Sequence, residues 1–330
     1  MRNQPKPTNL SRRRFSRMMA LGGVGLTTPG VSAWYDRGAA LVHVRRHSFL
    51  MGSVATFDVV APTERDGFEA INRAVRVFHK VESLLSMYRE DSEIAVLERH
   101  AGRDLVPISE DTEIVLQFAL EMSRQTEGRF DVTIEPLMRR WGFREDPDIP
   151  VPRPTEAELR AIQDSIGFKH LHLESGFAAL ARPGMALDLG GIAGGYALDQ
   201  AIEVLRSSEI AAALINFSGD VHSFGSMATG VPWKVHLLNP VTGRPKSEPI
   251  NLEGQALSTS GAYENRRHDA AGASWGHLLL PSASQPLEPF GSVTVLHPSA
   301  MMADAWSTAV FVGSRIPEPQ LTTTSVLRLL

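Results

Sequence analysis

Cysteine is absent from all 330 residues, which excludes disulfides, thiolate metal sites and a cysteine nucleophile. A chain without thiols also suits an oxidising compartment. No apolar run approaches the roughly 20 residues that a membrane-spanning helix requires. No P-loop Gly-Lys-Ser/Thr occurs, and no dinucleotide-type Gly-x-Gly-x-x-Gly. Internal repeats are missing as well. What is present is ordinary for a folded chain: 43% hydrophobic and 21% charged residues exclude wholesale disorder. The length allows one large domain or two modest ones.

Acidic residues are missing from Met1–Ala33, which holds Arg2, Lys6, Arg12, Arg13, Arg14 and Arg17. Ser11-Arg12-Arg13-Arg14-Phe15 precedes the short apolar stretch Met18 to Leu26. Pro29 and the small residues Val31-Ser32-Ala33 follow. This order reads as a twin-arginine export signal over residues 1–33, with the mature chain at 34–330 and a periplasmic location; the alternative is a basic tail. Removing the six basic residues leaves 27 Lys+Arg against 37 Asp+Glu, a net charge of −10. Such a surface repels polyanions, so nucleic acid is not an expected partner.

Ser48 to Val60, rich in Val, Phe and Thr, predicts a strand. Thr63 and Asp66 predict a helix cap, and Phe68, Ile71, Val75, Phe78, Val81 and Leu85 then recur at helical spacing to about Met87. Further helices are predicted over 111–126, with Gly128 as the stop, and from Thr155, whose partner Glu158 completes a capping box. Pro147 to Pro154 reads as a linker or surface loop. Glu174-Ser175-Gly176 between short apolar segments predicts a hairpin. A short strand at Ala186 to Leu189 should run into glycines and then a helix from Tyr196 to Arg206. Strands follow at 212–217, 233–238 and 292–296, and a last helix from Ser299 to about Phe311. This mixture without a steady βαβ repeat predicts an α+β fold.

Four places carry candidate chemistry. Gly190-Gly191-Ile192-Ala193-Gly194-Gly195 opens a helix, where bare N–H groups make an anion site suited to a diphosphate; a close-packed turn accounts for it equally well. Asp304 and Thr308 stand four apart on one helix face and offer hard oxygens to Mg²⁺; the competing role for Asp304 is a helix cap. His277 lies among apolar residues, as a general base or as a satisfied structural histidine. Gly128-Arg129-Phe130-Asp131, with Trp141-Gly142-Phe143 after it, could hold a flat heterocycle or simply form a core loop.

In this order the segments resemble the ApbE family of FAD:protein FMN transferases, from Met51 to about Gly313. Met51-Gly52-Ser53 is similar to the family's Met-Gly-Thr, and Ser86 to Glu93 to its Ser-x-Tyr/Phe-Arg-x-x-Ser-Glu. Phe130 to Phe143 resembles its Phe-Asp-Pro-Thr…Trp-Gly-Phe run, with Val132 in place of Pro. Asp188 to Ala193, Asn216 to Asp220, Thr259-Ser260-Gly261 and Ser292 to Thr308 complete the series. The resemblance implies an ApbE-like, T-fold-related arrangement of mixed sheets with packed helices. It implies Mg²⁺ held by Asp304, Thr308 and the Ala193 carbonyl. FAD, the substrate, would be lined by Met51, Tyr88, Arg129, Phe130, Asp131, Gly190 and Tyr196. His277 would be the catalytic base. The implied reaction moves FMN from FAD to a Thr or Ser hydroxyl, releasing AMP. The acceptor would carry Asp-x-x-Ser/Thr-Gly-Ala-Ser/Thr, on an exported, membrane-associated electron-transfer flavoprotein. Gly194 stands where many members have Lys, Leu280 where they have Asp, and Ser218 where they have Gly. The Leu280 and Gly194 departures set a competing reading beside the transferase, a flavin-binding scaffold without efficient transfer; a third reading is an Mg²⁺-dependent FAD diphosphatase, which needs the same metal and base.

Overall fold

A computed structural model describes residues 24–25, 41–227, 230–239, 242, 244–245, 248–261, 265–287 and 291–329. The predicted export signal therefore lies outside the described residues, apart from Val24 and Gly25. These two form β1 (Val24–Gly25), which precedes the hairpin β2 (Val42–Leu50) and β3 (Ser53–Ala61). Next come α1 (Glu64–Leu85), α2 (Glu93–Arg99), β4 (Val106–Pro107), α3 (Glu110–Gln125), α4 (Glu135–Arg140) and α5 (Glu156–Gln163). A second hairpin, β5 (Leu171–Glu174) and β6 (Phe177–Leu180), leads to α6 (Ala193–Arg206), β7 (Ala212–Phe217) and β8 (Asp220–Phe224). The chain continues through β9 (Trp233–Leu237), β10 (Ile250–Leu252), β11 (Ala256–Gly261), β12 (Arg266–His268) and β13 (Ser274–Gly276). It ends with β14 (Leu279–Leu280), β15 (Gln285–Pro286), β16 (Ser292–His297), α7 (Ala300–Phe311) and β17 (Ser325–Leu329).

The arrangement is α+β. A seven-stranded antiparallel sheet runs β17-β16-β11-β8-β7-β3-β2. Its side chains alternate between two apolar layers, as the period of two requires. Val59, Ala213 and Ile215 face the layer made with α1, α6 and α7. Val60, Ala212 and Leu214 face the layer made with β9 and β10. Burying Phe78, Ile71 or Leu205 in the first layer contributes roughly 1.5–3 kcal/mol each. A third cluster joins Leu137, Met138, Trp141 and Phe143 to Trp275 and Leu279. It matters for the site because it pins the segment carrying His277 to the loop after α4.

Local signals fared well where they were local. Thr63 caps α1 by accepting from the Asp66 N–H at 3.2 Å, and Thr155 caps α5 in a complete box with Glu158. Phe68, however, is an exposed residue of α1; the buried stripe runs through Ala70, Ile71, Ala74, Phe78 and Val81. The single strand predicted over 48–60 is two strands. Met51 and Gly52 both adopt positive φ, +45° and +77°, which reverses the chain in a two-residue turn. Pro147 to Pro154 is a loop held down by backbone: Val151 N–H donates to the His268 carbonyl at 2.9 Å.

Candidate functional site

The strand predicted over Ala186 to Leu189 is absent. The segment joins no strand ladder among the described residues, and its donors are taken singly. The Leu187 N–H goes to Glu98 Oε1 (3.1 Å), the Asp188 N–H to the Val132 carbonyl (2.7 Å), and the Gly190 N–H to Asp188 Oδ1 (2.8 Å). Helix α6 starts at Ala193, three residues before the predicted start. At Gly195 it touches α7: a Cβ there would lie 2.6 Å from both the Ala300 carbonyl oxygen and Met301 Cα. Only glycine permits that approach. The Gly195 N–H donates to Asp304 Oδ2 at 3.3 Å. Two amides of this region are thus already engaged by the chain's own carboxylates.

Helix α7 is fastened at its start. Asp199 on α6 accepts from the Ala300 N–H (2.6 Å), the Met301 N–H (3.1 Å) and the Ser299 hydroxyl (2.6 Å), while His222 Nδ1 lies 3.2 Å away. These bonds lower the Asp199 pKa against the opposing effect of burial, which is the largest influence on it. One turn along α7, Asp304 is 7% exposed. Burial first, then the charges of Asp220 and Asp199, push its carboxyl well above the usual range, and only the Gly195 N–H opposes them. Asp220, at the start of β8, is pushed up to about 7 by burial, against hydrogen bonds from Ser258 and Thr259. A Cβ on Gly191 would lie 3.3 Å from the Phe130 ring and 3.4 Å from Thr308 Oγ1. Phe130, Gly191, Asp304 and Thr308 are therefore brought together, with Ala193 opening the adjacent helix.

A buried Asp304 that feels the charges of half-buried Asp220 and Asp199 disfavours ionisation unless a cation joins it. Hard carboxylate, hydroxyl and carbonyl oxygens are the donors Mg²⁺ takes, and the glycines leave room at the turn. The residues present fit that ion. Among the described residues no three histidine, aspartate or glutamate side chains form a metal-ligating cluster. A magnesium that keeps waters and phosphate oxygens does not need one.

His277 lies between β13 and β14 rather than inside a strand, partly buried, its ring 6.5 Å from that of Phe143. Burial lowers its pKa, against the Asp188 charge and a backbone hydrogen bond at Asn265. Among the described residues its Nδ1 has no hydrogen-bond partner. Asp188 connects this ring to the glycine turn. While its Oδ1 holds Gly190, its Oδ2 accepts from Arg144 Nη2 at 2.7 Å. Arg144 also grips Glu135, which Arg139 holds at 2.8 Å, and Arg139 continues to Glu98 at 3.0 Å. Asp188, Arg144 and Glu135 were missed as candidates. Their signal was weak but present, since Asp188 opens the glycine segment and Arg144 directly follows Trp141-Gly142-Phe143.

The other predicted residues scatter. Tyr88 is 75% exposed, on the rim of a depression it shares with Arg139 and Met185. Met51 sits at the hairpin tip, packed against the main core. Arg129 is exposed at the far end of α7, with Nη1 3.5 Å from the Val312 carbonyl. Asp131 is buried; it accepts from the Thr133 N–H (2.9 Å) and hydroxyl (2.6 Å) and from the Phe168 N–H (2.9 Å). Tyr196 is buried too, and its hydroxyl donates to Asp111 at 2.9 Å. Lys80 lies 2.6 Å from that same carboxylate.

Comparison with known proteins gives the family. The ApbE family profile matches residues 51–323. The chain belongs to the ApbE family. A FAD:protein FMN transferase of Vibrio cholerae is 32% identical over 241 residues, 72% of this chain and 71% of that protein. One from Salmonella typhimurium is 32% identical over 237 residues, 69% and 67%. The solved flavin transferase ApbE from Vibrio cholerae superposes with a TM-score of 0.75 at 28% identity, covering 87% of this chain and 93% of that one.

Gly194, Ser218 and Leu280 have definite surroundings. A Cβ at Gly194 would lie 3.2 Å from the Phe217 ring and 3.9 Å from Asp220 Oδ2, so a longer side chain there must displace that ring. Ser218 takes a left-handed φ of +55° in the β7–β8 turn, a conformation glycine adopts at less cost. Leu280 pairs with Gln285 in the small β14–β15 ladder. The Asp188 charge raises the His277 pKa against the larger effect of burial.

Proposed function

We propose that this ApbE chain transfers FMN from FAD to a serine or threonine hydroxyl of a partner protein, with release of AMP. Family membership and relatives named for that activity support the reaction. The single observation that carries the site is the meeting of Asp304 and Thr308 with the glycine turn. Asp304, Thr308 and the Ala193 carbonyl would hold Mg²⁺, which supplies charge neutralisation at a diphosphate. The bare turn and the start of α6 orient the phosphates. His277, kept neutral by burial, accepts the proton of the acceptor hydroxyl. The hydroxyl oxygen bonds to the FMN-side phosphorus as the bond from that phosphorus to the bridging oxygen breaks, and AMP leaves with the bridging oxygen. Asp188 faces the imidazolium so formed, and Arg144 holds Asp188 in place.

The family resemblance would put Phe130, Tyr88, Met51, Arg129 and Gly190 around the flavin nucleotide, Tyr88 being the exposed aromatic among them. Asp131 and Tyr196 contribute from beneath by holding the Phe168 backbone and the Asp111 carboxylate. The basic leader would take the chain through the twin-arginine route to the periplasm. The partner there would be a membrane-associated electron-transfer flavoprotein carrying Asp-x-x-Ser/Thr-Gly-Ala-Ser/Thr.

The test is incubation with FAD, Mg²⁺ and an acceptor bearing that motif. A fluorescent acceptor, heavier by one FMN, is expected. An unmodified acceptor with FAD intact would instead indicate a flavin-binding scaffold. FMN and AMP released without any acceptor would indicate a diphosphatase.

A further inference from the structure

A chain of hydroxyls, Ser307 buried and Ser260 half-buried, runs behind Thr308. Ser307 donates its proton to the backbone carbonyl of Asp304 at 2.9 Å, and that oxygen can only accept. Ser260 Oγ lies 2.7 Å from Ser307 Oγ, and Thr308 Oγ1 lies 3.1 Å from Ser260 Oγ. Each contact needs one proton between its oxygens. Ser307's proton is already placed, so Ser260 must donate to Ser307. Ser260's proton is then placed too, so Thr308 must donate to Ser260. Ser307 Oγ has two lone pairs, so the hydroxyl of Ser258 at 3.4 Å can share it with Ser260 without disturbing this order. The direction of the whole chain follows from one carbonyl.

The consequence falls on Thr308. Its proton points at β11, so its lone pairs are left for the other side, where Gly191 lies. We infer that Ser260 and Ser307 are positioning residues that turn the Thr308 hydroxyl into a lone-pair donor aimed at the glycine turn, ready for a divalent cation. Neither serine touches the cation. Removing Ser307 frees Ser260 to donate to Thr308, which drives the Thr308 proton off β11 and toward the side the cation needs. Removing Ser260 leaves the Thr308 proton without its acceptor. Outer-shell hydrogen bonds of this kind are worth roughly 10–100-fold in metal affinity. The inference rests on the magnesium reading of Asp304 and Thr308.

The experiment is Mn²⁺ binding by the mature chain without FAD, read from the electron paramagnetic resonance of the free ion. Ser307→Ala and Ser260→Ala should each weaken binding by about tenfold or more. Alanine is the best helix former, so Ser307→Ala keeps α7 intact, and circular dichroism verifies this. Ser260→Thr retains the hydroxyl and should bind within about threefold of the parent, on the same outer-shell scale. Asp304→Ala separates the two ideas. If it binds Mn²⁺ like the parent, or the parent binds none, the metal reading fails and the relay with it. If Asp304→Ala loses the ion while folded Ser307→Ala holds it as tightly as the parent, the relay alone is overturned. Ser260→Thr binding as weakly as Ser260→Ala overturns it as well.

Discussion

At His277 the relevant quantity is the proton affinity of one ring. Burial favours the neutral imidazole, so its folded pKa lies below the ordinary value of about 6.5. A base must be unprotonated to act, so kcat/KM should rise with pH through that lowered value and be level by pH 7. An acid limb above 6.5 would assign the base to another group. The same depression makes folding stability from this residue full above the unfolded value and lost as pH falls through the folded one. His277→Ala should cut transfer by roughly 10²–10⁴-fold, the usual scale for a general base. Binding of FAD, measured by fluorescence, should be little changed.

Two neighbouring glycines in α6 make opposite predictions at the scale of elements. A Cβ on Gly195 meets backbone atoms of α7 at 2.6 Å, and backbone cannot step aside without separating the helices. Gly195→Ala should therefore destabilise the chain by about 1–3 kcal/mol, as overpacking does, and weaken Mn²⁺ binding because Asp304 moves with α7. A Cβ on Gly194 meets the Phe217 ring at 3.2 Å, and a side chain can shift by a few tenths of an ångström. In the first turn of α6 alanine gains only part of the roughly 1 kcal/mol that it gains over glycine in a helix interior. Gly194→Ala should therefore be neutral or slightly stabilising. Urea unfolding of the two variants reads both effects, and equal losses would refute the contact argument. Bonds from three residues of the α7 start to Asp199 make this helix pair one unit.

For the whole molecule the question is where it works. The six basic residues of Met1–Ala33 are set against a remainder that carries a net charge of −10. If the leader is a twin-arginine signal, Arg12→Lys with Arg13→Lys should leave the chain in the cytoplasm on fractionation. Flavinylation of an exported acceptor should then disappear, while the purified chain stays active in vitro. Periplasmic recovery of the double variant at the parent's level would refute the route.

The sequence by itself determined the elements whose signals are short-range: the capped starts of α1, α5 and α7, the hairpin at Ser175-Gly176, and the strand at 212–217. Caps, turns and alternation act within a few residues, so they are legible along the chain. The order of its motifs also determined the family. Tertiary structure alone decided which side chains share a site. Asp188 meets Arg144 from 44 positions away, and Ser260 meets Thr308 from 48. Such pairs arise only once β11 lies beside α7 and the loop after α4 folds under the glycine turn. It also decided that Ala186 to Leu189 joins no sheet and that the Tyr196 hydroxyl goes to Asp111. An apolar pattern states that a residue will be buried; it does not name the neighbour that burial supplies.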